Sequence, residues 1–234
     1  MADLVFVVGT LHSGGNWIHD FLAAHPDATG IKDPWTLYDE RQTVERVREA
    51  GSLLFEGVAT RLIAVRSVAS IFMLEDLAAA WPEARFINVM RDGREAVVRI
   101  RIGRHNLDER TAHLFGTSIK DSAAAWARAT EAGLAAADQL GGRMKTVRYE
   151  DVVVDRVRAG TELLAFLGLP GDEETVFKML EEDDGRLKKP EPVASWHAYF
   201  SVYRALKFHR AAWGTLRKAG YERDPKWWWR PIKR

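Results

Sequence analysis

Two stretches of the chain have residue types and spacing suited to holding anions. The first is Gly9-Thr10-Leu11-His12-Ser13-Gly14-Gly15-Asn16-Trp17, between an apolar run and a helical pattern. A glycine-rich turn there exposes successive backbone N–H groups, and the following helix N-terminus adds partial positive charge, so such a loop can cradle phosphate. His12, Ser13 and Asn16 would add side-chain donors. A plain strand-to-helix turn is the competing reading of the loop by itself. The spacing of an ordinary nucleotide-triphosphatase loop, G-x-x-x-x-G-K-[ST], is missing. The second stretch is Met90-Arg91-Asp92-Gly93-Arg94, followed by Arg99, Arg101 and Arg104. Arginine offers a planar fork of donors that suits a phosphate monoester. Arg91 directly ends a predicted strand and is read as functional. Arg94 and Arg101 are read as a solvated basic face paired with Asp92 and Glu95.

These stretches need elements to position them. Leu4-Val5-Phe6-Val7-Val8 reads as a buried parallel strand, and Trp17, Ile18, Phe21 and Leu22 recur at helical spacing after it. Leu62-Ile63-Ala64-Val65, Arg85 to Met90 and Met144 to Tyr149 are further strands; residues 69–81 and 119–139 are helical. Asp155 caps another helix that stops at Gly168. The predicted fold is therefore α/β, a mostly parallel central sheet flanked by helices, with a helical C-terminal third. No composition shift marks a boundary, so residues 1–234 are read as one domain. Residues 181–192, with an acidic run and then Arg186, Lys188 and Lys189, and the tail after Tyr221 read as mobile.

Composition narrows the function classes. With 34 Lys plus Arg against 33 Asp plus Glu, the net charge is +1, so a bulk-charge nucleic-acid binder is not expected and any anion site is local. The 47% hydrophobic and 29% charged content fits a globular chain. Zero cysteines exclude disulfides, thiolate catalysis and Cys-ligated zinc. No run approaches the roughly 18 apolar residues of a membrane span. Met1-Ala2-Asp3 lacks a basic leader, so a cytoplasmic protein is expected.

Three segments, in order, resemble the sulfotransferase family that uses 3′-phosphoadenosine 5′-phosphosulfate. Val8-Gly9 through Trp17 is similar to the family's 5′-phosphosulfate loop, usually Gly-x-Pro-Arg/Lys-Ser-Gly-Thr-Thr, and Ala23-Ala24-His25-Pro26-Asp27 to the His-Pro ending that follows it in several bacterial members. Trp81-Pro82-Glu83-Ala84-Arg85-Phe86-Ile87-Asn88-Val89-Met90-Arg91-Asp92-Gly93-Arg94 is similar to the 3′-phosphate segment. Val147-Arg148-Tyr149-Glu150-Asp151-Val152-Val153, with Phe166-Leu167-Gly168-Leu169 further on, resembles the Arg-Tyr-Glu-Asp-Leu strand and its helix end. The landmarks span most of the chain. The resemblance implies a P-loop-like sulfotransferase fold, that cofactor with adenosine 3′,5′-bisphosphate as product, a small-molecule hydroxyl acceptor and no metal. It implies that Ser13, Gly14, Gly15 and Asn16 wrap the 5′-phosphate, that Trp17 stacks on adenine, that Arg91 binds the 3′-phosphate, and that Arg186, Lys188 and Lys189 belong to a basic loop over the cofactor.

The chain departs from the family pattern at named positions. His12 stands where the family has Lys or Arg, and would assist the leaving bridging oxygen as an imidazolium or a neutral N–H donor. Gly15-Asn16 replaces Thr-Thr; glycopeptide sulfotransferases also carry a Gly-Gly version. The family's serine downstream of the strand-ending arginine is Arg99, another phosphate-binding type. Where some members have Lys-Thr-His this chain reads Val65-Arg66-Ser67-Val68, so Arg66 would replace the lysine and a base must be sought elsewhere. Other members place a carboxylate after the His-Pro, a region that reads Gly30-Ile31-Lys32-Asp33-Pro34-Trp35 here. Asp33 is the leading base, or else a turn residue before proline; Asp20 and Glu40 stand in reserve. A base near neutrality needs a raised pKa, which an apolar Trp35 would supply. Trp35, Tyr38, Phe115 and Trp196 are read as acceptor wall or as packing, and His105 and His113 as pocket residues or as internally satisfied. Trp227-Trp228-Trp229 is read as packing back on the domain or as a homo-oligomer interface. Two alternatives stay open: a degenerate nucleotide-binding module of the same fold, and a P-loop nucleotide kinase-like phosphotransferase.

Overall fold

The computed structural model describes residues 2–34, 43–181 and 196–229. Its centre is β1 (Asp3–Gly9), in which Val5, Phe6, Val7 and Val8 are all essentially buried. A continuous apolar run of this kind survives only where both faces of a strand are covered. On one side β1 pairs in parallel with β3 (Leu62–Arg66), and β3 pairs with β2 (Ala28–Lys32). On the other it pairs in parallel with β4 (Arg85–Met90), which pairs with β5 (Met144–Arg148). The sheet order is β2-β3-β1-β4-β5, so the mostly parallel prediction holds.

Successive side chains of β1 leave opposite faces, and each face has its own layer. Val5 and Val7 pack with α1 (Gly15–Ala23) through Trp17, Ile18, Phe21 and Leu22, and with α8 (Arg156–Leu167) through Leu163, Leu164 and Leu167. Phe6 and Val8 pack with Leu77 of α3 (Leu74–Ala80) and with Ala129 and Ala136 of α6 (Ile119–Leu140). α8 starts and stops where expected: Asp155 accepts from the Arg158 N–H, and Gly168 ends it at φ 64°. Tyr149, predicted as the last strand residue, instead opens α7 (Tyr149–Val154).

A third cluster joins Val97 and Val98 of α4 (Gly93–Gly103), Trp126 of α6 and Phe208 of α11 (Val202–Lys218) to Trp196 and Trp227. The tryptophan run therefore packs back on the domain through Trp227, while Trp229 is 67% exposed. Among the described residues no helix is long and apolar enough to cross a membrane.

Several elements escaped the sequence reading, an early helix and the edge strand among them. α2 (Val44–Phe55) fully buries only Val47 and Gly51; the rest of its apolar stripe, Val44, Ala50 and Leu54, is only partly covered. β2, Ala-Thr-Gly-Ile-Lys, is a short edge strand of mostly intermediate exposure. It lies so close to α1 that a Cβ on Gly30 would stand 2.6 Å from Ala23 Cβ and 2.7 Å from His19 Cε1.

Because every pairing is parallel, the strands end along one edge, at Gly9, Lys32, Arg66, Met90 and Arg148. The chain leaves β1 toward β2 and β3, then crosses to β4 and β5 on the other side. In such sheets the crevice lies where the order reverses, here between the ends of β1 and β4.

Candidate active site

An open cleft of about 880 Å³ occupies that crevice. Its floor is the loop between β1 and α1. The Ser13 N–H donates to the Thr10 carbonyl at 3.1 Å, and Gly14 sits at the N-cap of α1 with φ 99° and no side-chain cap. Nothing from the side chain of Gly14 therefore occupies the first N–H groups of the helix. Gly14 must also be glycine for a second reason: a Cβ there would stand 2.1 Å from the Tyr149 ring. Gly14→Ala is expected to lower stability by about 2–4 kcal/mol, from the left-handed backbone plus overpacking. Chemical denaturation checks this, and the same variant should bind no anion in the loop.

His12 also adopts a left-handed conformation, φ 61°. Its carbonyl accepts a hydrogen bond from Arg91 Nη1 at 3.0 Å, which ties the loop to the end of β4. The guanidinium of Arg91 lies 4.3 Å from the centre of the Tyr149 ring, and the Arg91 carbonyl accepts from Trp126 Nε1 at 3.1 Å. The third core cluster thus holds the backbone of the cationic residue from behind. Arg91 Nη2 faces Glu95 Oε2 at 3.8 Å.

Arg94 departs from its expected solvated role. It is buried, bonded twice over to Asp92 (2.6–3.1 Å), bonded to Glu222 at 3.1 Å, and stacked on Trp196 and Trp227. Burial opposes its charge, but these carboxylates outweigh burial and raise its pKa. Arg94 pins the C-terminal segment to the start of α4. Glu150 closes the same turn by accepting from the Asp92 N–H at 2.9 Å and from the Tyr221 hydroxyl at 3.4 Å. Burial pushes the Glu150 carboxyl above its ordinary range, and burial beside Glu150 pushes the Tyr221 phenol far up.

Across the cleft, Arg66 ends β3 and Asp33 follows β2. The Asp33 N–H donates to the Arg66 carbonyl at 2.7 Å, and Asp33 Oδ1 lies 3.6 Å from Arg66 Nη1. Arg66 also abuts the loop, its Nε only 3.3 Å from where a Gly15 Cβ would stand. Asp33 holds a left-handed φ of 46°, a conformation Asp tolerates better than most residues. Beside them Lys32 Nζ meets Asp20 Oδ1 at 2.6 Å, and His19 Nδ1 reaches the same oxygen at 3.0 Å. Burial works against the Asp20 charge, yet the bonds from His19 and Lys32 prevail and hold its pKa down. An aspartate so engaged is a poor base, which leaves Asp33 better placed than Asp20.

The cleft lining brings together His12, Gly14, Gly15, Asn16, Trp17, Asp33, Arg66 and Arg91. Ser13 is buried beneath the loop, and Arg99 lies on α4 outside the lining. Trp35, Tyr38, Glu40, Arg186, Lys188 and Lys189 lie outside the described residues. Phe115 packs against Phe72 and Trp196 joins the third core cluster, so both are packing residues and form no acceptor wall. His105 and His113 are not in the lining. Sequence reasoning missed Tyr149, Lys32, Asp108 and Thr111. Tyr149 carried a signal, since it sits inside the Arg-Tyr-Glu-Asp segment; Asp108 and Thr111 reach the rim only because α5 (Glu109–Phe115) folds over it.

The family model described as "Sulfotransferase family" matches residues 44–174 of this chain. Protein-tyrosine sulfotransferase 1 of Danio rerio is 24% identical over 199 residues, covering 73% of this chain and 54% of that protein. The chain therefore spans about half the length of that curated relative. Among solved structures, a sulfotransferase from Alicyclobacillus acidocaldarius superposes with a TM-score of 0.61 at 18% identity, covering 98% of this chain and 100% of that one. Mouse sulfotransferase SULT7A1, complexed with PAP, gives 0.63 at 14% identity, covering 94% and 85%.

Proposed function

Because the chain belongs to the sulfotransferase family, we propose that it moves a sulfuryl group from 3′-phosphoadenosine 5′-phosphosulfate to a hydroxyl of a small-molecule acceptor, leaving adenosine 3′,5′-bisphosphate. The observation that carries the reading is the joining of the two anion-binding stretches. Arg91 at the end of β4 donates to the carbonyl of His12 in the loop after β1, at the point where the sheet order reverses.

The residues present fit the nucleotide. Gly14, at the N-cap of α1, puts no side-chain cap on the first N–H groups of the helix. Trp17 Nε1 is buried on the cleft lining with no hydrogen-bond partner, and its ring is stacked on Phe21 at 5.5 Å. When bound, the nucleotide supplies the sulfuryl group. Gly14, Gly15 and Asn16 offer the backbone donors for its 5′-phosphate, with Ser13 bracing the loop, and Arg91 offers its fork to the 3′-phosphate. Arg66, against the loop and facing Asp33, supplies the fixed positive charge that the transfer needs at the departing oxygen. His12 adds a donor beside it. Asp33 takes the acceptor proton once its carboxylate turns from Arg66 to the hydroxyl. Arg66 standing against Gly15 speaks against the degenerate-module alternative, because it brings a positive charge to a loop that lacks the family's lysine.

Calorimetric titration tests the reading. Adenosine 3′,5′-bisphosphate is expected to bind with a micromolar Kd, and ATP with magnesium is expected not to compete. Binding of ATP alone would support the kinase alternative, and binding of neither by the folded protein would remove the proposal.

A further inference from the structure

We propose that the groove between α4, α6 and α11 docks an acidic segment of a partner protein, one in which carboxylates stand beside apolar side chains. The groove encloses about 250 Å³ and is lined by Arg101 of α4, Lys120 in the first turn of α6, and Tyr203, Arg204 and Lys207 of α11. None of its lining residues lines the cleft, so it is a second place of positive charge. Four cationic side chains gathered here, in a chain whose net charge is +1, make a strong local field.

These charges are not spent inside the molecule. Among the described residues none of the four forms an ion pair, and the groups that orient them are neutral. Arg204 Nη1 donates to the Tyr199 carbonyl at 2.8 Å, and its guanidinium carbon lies 4.5 Å from the centre of the Tyr199 ring. Lys207 Nζ stands 4.4 Å from the centre of the Tyr203 ring. Arg101 Nε is buried with no hydrogen-bond partner. Asp121, the residue after Lys120, is engaged by the Ser118 hydroxyl at 2.5 Å. The sequence pattern groups Arg101 with Arg94 as one paired basic face. Arg94 does spend its charge, on Asp92 and Glu222, whereas Arg101 keeps its own.

The surface around the charges favours a protein over a nucleic acid or a lone anion. Tyr203 is 66% exposed, and Ile102 and Val202, the chain neighbours of Arg101 and Tyr203, are 62% and 46% exposed. Aromatic and aliphatic side chains interleaved with cations are what a protein interface presents. A phosphate backbone has nothing to set against Ile102 and Val202, and one small anion leaves most of the four charges unmatched. An acidic segment with aliphatic residues among its carboxylates matches both. The groove also borders the cleft. The chain leaves it at Arg101, reaches the cleft lining at Asn106, Leu107, Asp108 and Thr111, and returns to it at Ser118. Arg101 and Asn106 are five positions apart, at most about 18 Å of extended chain, so a docked partner sits beside the cleft rim.

Fluorescence anisotropy on the full chain tests this with a labelled peptide, Glu-Leu-Glu-Glu-Leu-Glu-Glu-Leu, which carries no hydroxyl to act as an acceptor. The wild type is expected to bind it with a Kd of about 10–100 μM at low salt, and more weakly as salt rises. The double reversal Arg101→Glu with Lys207→Glu is expected to lose about tenfold or more in affinity at unchanged Tm, and Tyr203→Ser to weaken binding as well. A double variant that binds like the wild type overturns the inference, because the peptide would then sit elsewhere, the cleft included. No binding by the wild type overturns it too. So does an equal or tighter hold on single-stranded DNA or on phosphatidylserine vesicles, since the partner would then be a nucleic acid or a membrane. Displacement of the peptide by inorganic phosphate, beyond that caused by sodium chloride of the same ionic strength, would show a small-anion site and overturns it as well. Should the double reversal not fold, Arg204→Gln with Lys207→Gln, both exposed on one helix, carries the same expectation.

Discussion

Arg91→Ala is expected to weaken binding of adenosine 3′,5′-bisphosphate by about 100-fold or more and to destabilise the fold at the same time. Both effects come from burial. The guanidinium is 2% exposed, and its replacement removes charge-assisted bonds to phosphate worth about 1.5–3 kcal/mol each. It also removes the cation that faces the equally buried Glu95 at 3.8 Å, and breaking a buried pair from one side costs about 3–5 kcal/mol. It further frees the carbonyl of His12, so the loop loses its tie to β4. Arg91→Lys retains a charge without the fork, and should recover part of the stability and little of the affinity. Combining Arg91→Met with Glu95→Gln removes both charges together and should restore much of the stability with no return of binding. Denaturant titration and calorimetry on the four proteins separate the two contributions. Stability that falls equally in the single and double variants would show that the pair is not coupled.

The parts of this molecule legible from sequence are those in which one local signal decides the structure. Four strands were visible because their runs are buried on both faces or bounded by turn residues, and α8 because Asp155 and Gly168 mark its ends. The place of Arg91 on the cleft lining was legible because it directly follows a strand at the carboxyl edge of a parallel sheet. β2 was hidden because an edge strand needs only one covered face, and the Gly30 that allows α1 to approach weakens its strand signal. Arg94 was misread because nothing local shows that Glu222, Trp196 and Trp227 return from the far end of the chain to bury it. The pairing of Asp33 with Arg66 was invisible for the same reason: it exists only because β2 and β3 are neighbours in register, Lys32 opposite Arg66. The acceptor's own recognition is the least legible part, since Asp108 and Thr111 reach the rim through the placement of a helix.

That pairing carries the second large effect. Arg66→Ala is expected to lower kcat by about 10²–10³-fold, the loss typical when a preorganised donor to a developing charge is removed, while the bisphosphate Kd changes little. The split is what distinguishes the role. In the proposed reaction Arg91 meets a phosphate present before and after transfer, so its removal appears in affinity. Arg66 stands between the loop at Gly15 and the carboxylate of Asp33, where charge changes only during the reaction. Asp33→Asn should lower kcat by about 10²–10⁴-fold if it accepts the acceptor proton. The two side chains are in contact, so their effects should not add: the double variant Arg66→Ala with Asp33→Asn should be little slower than the worse single one. Full additivity would mean that the two act in separate steps. An Arg66→Ala variant that loses bisphosphate affinity as steeply as kcat would move Arg66 out of the reacting centre and into nucleotide binding. The loop would then need His12 to supply its charge, and the rate should fall as pH rises through the imidazolium range.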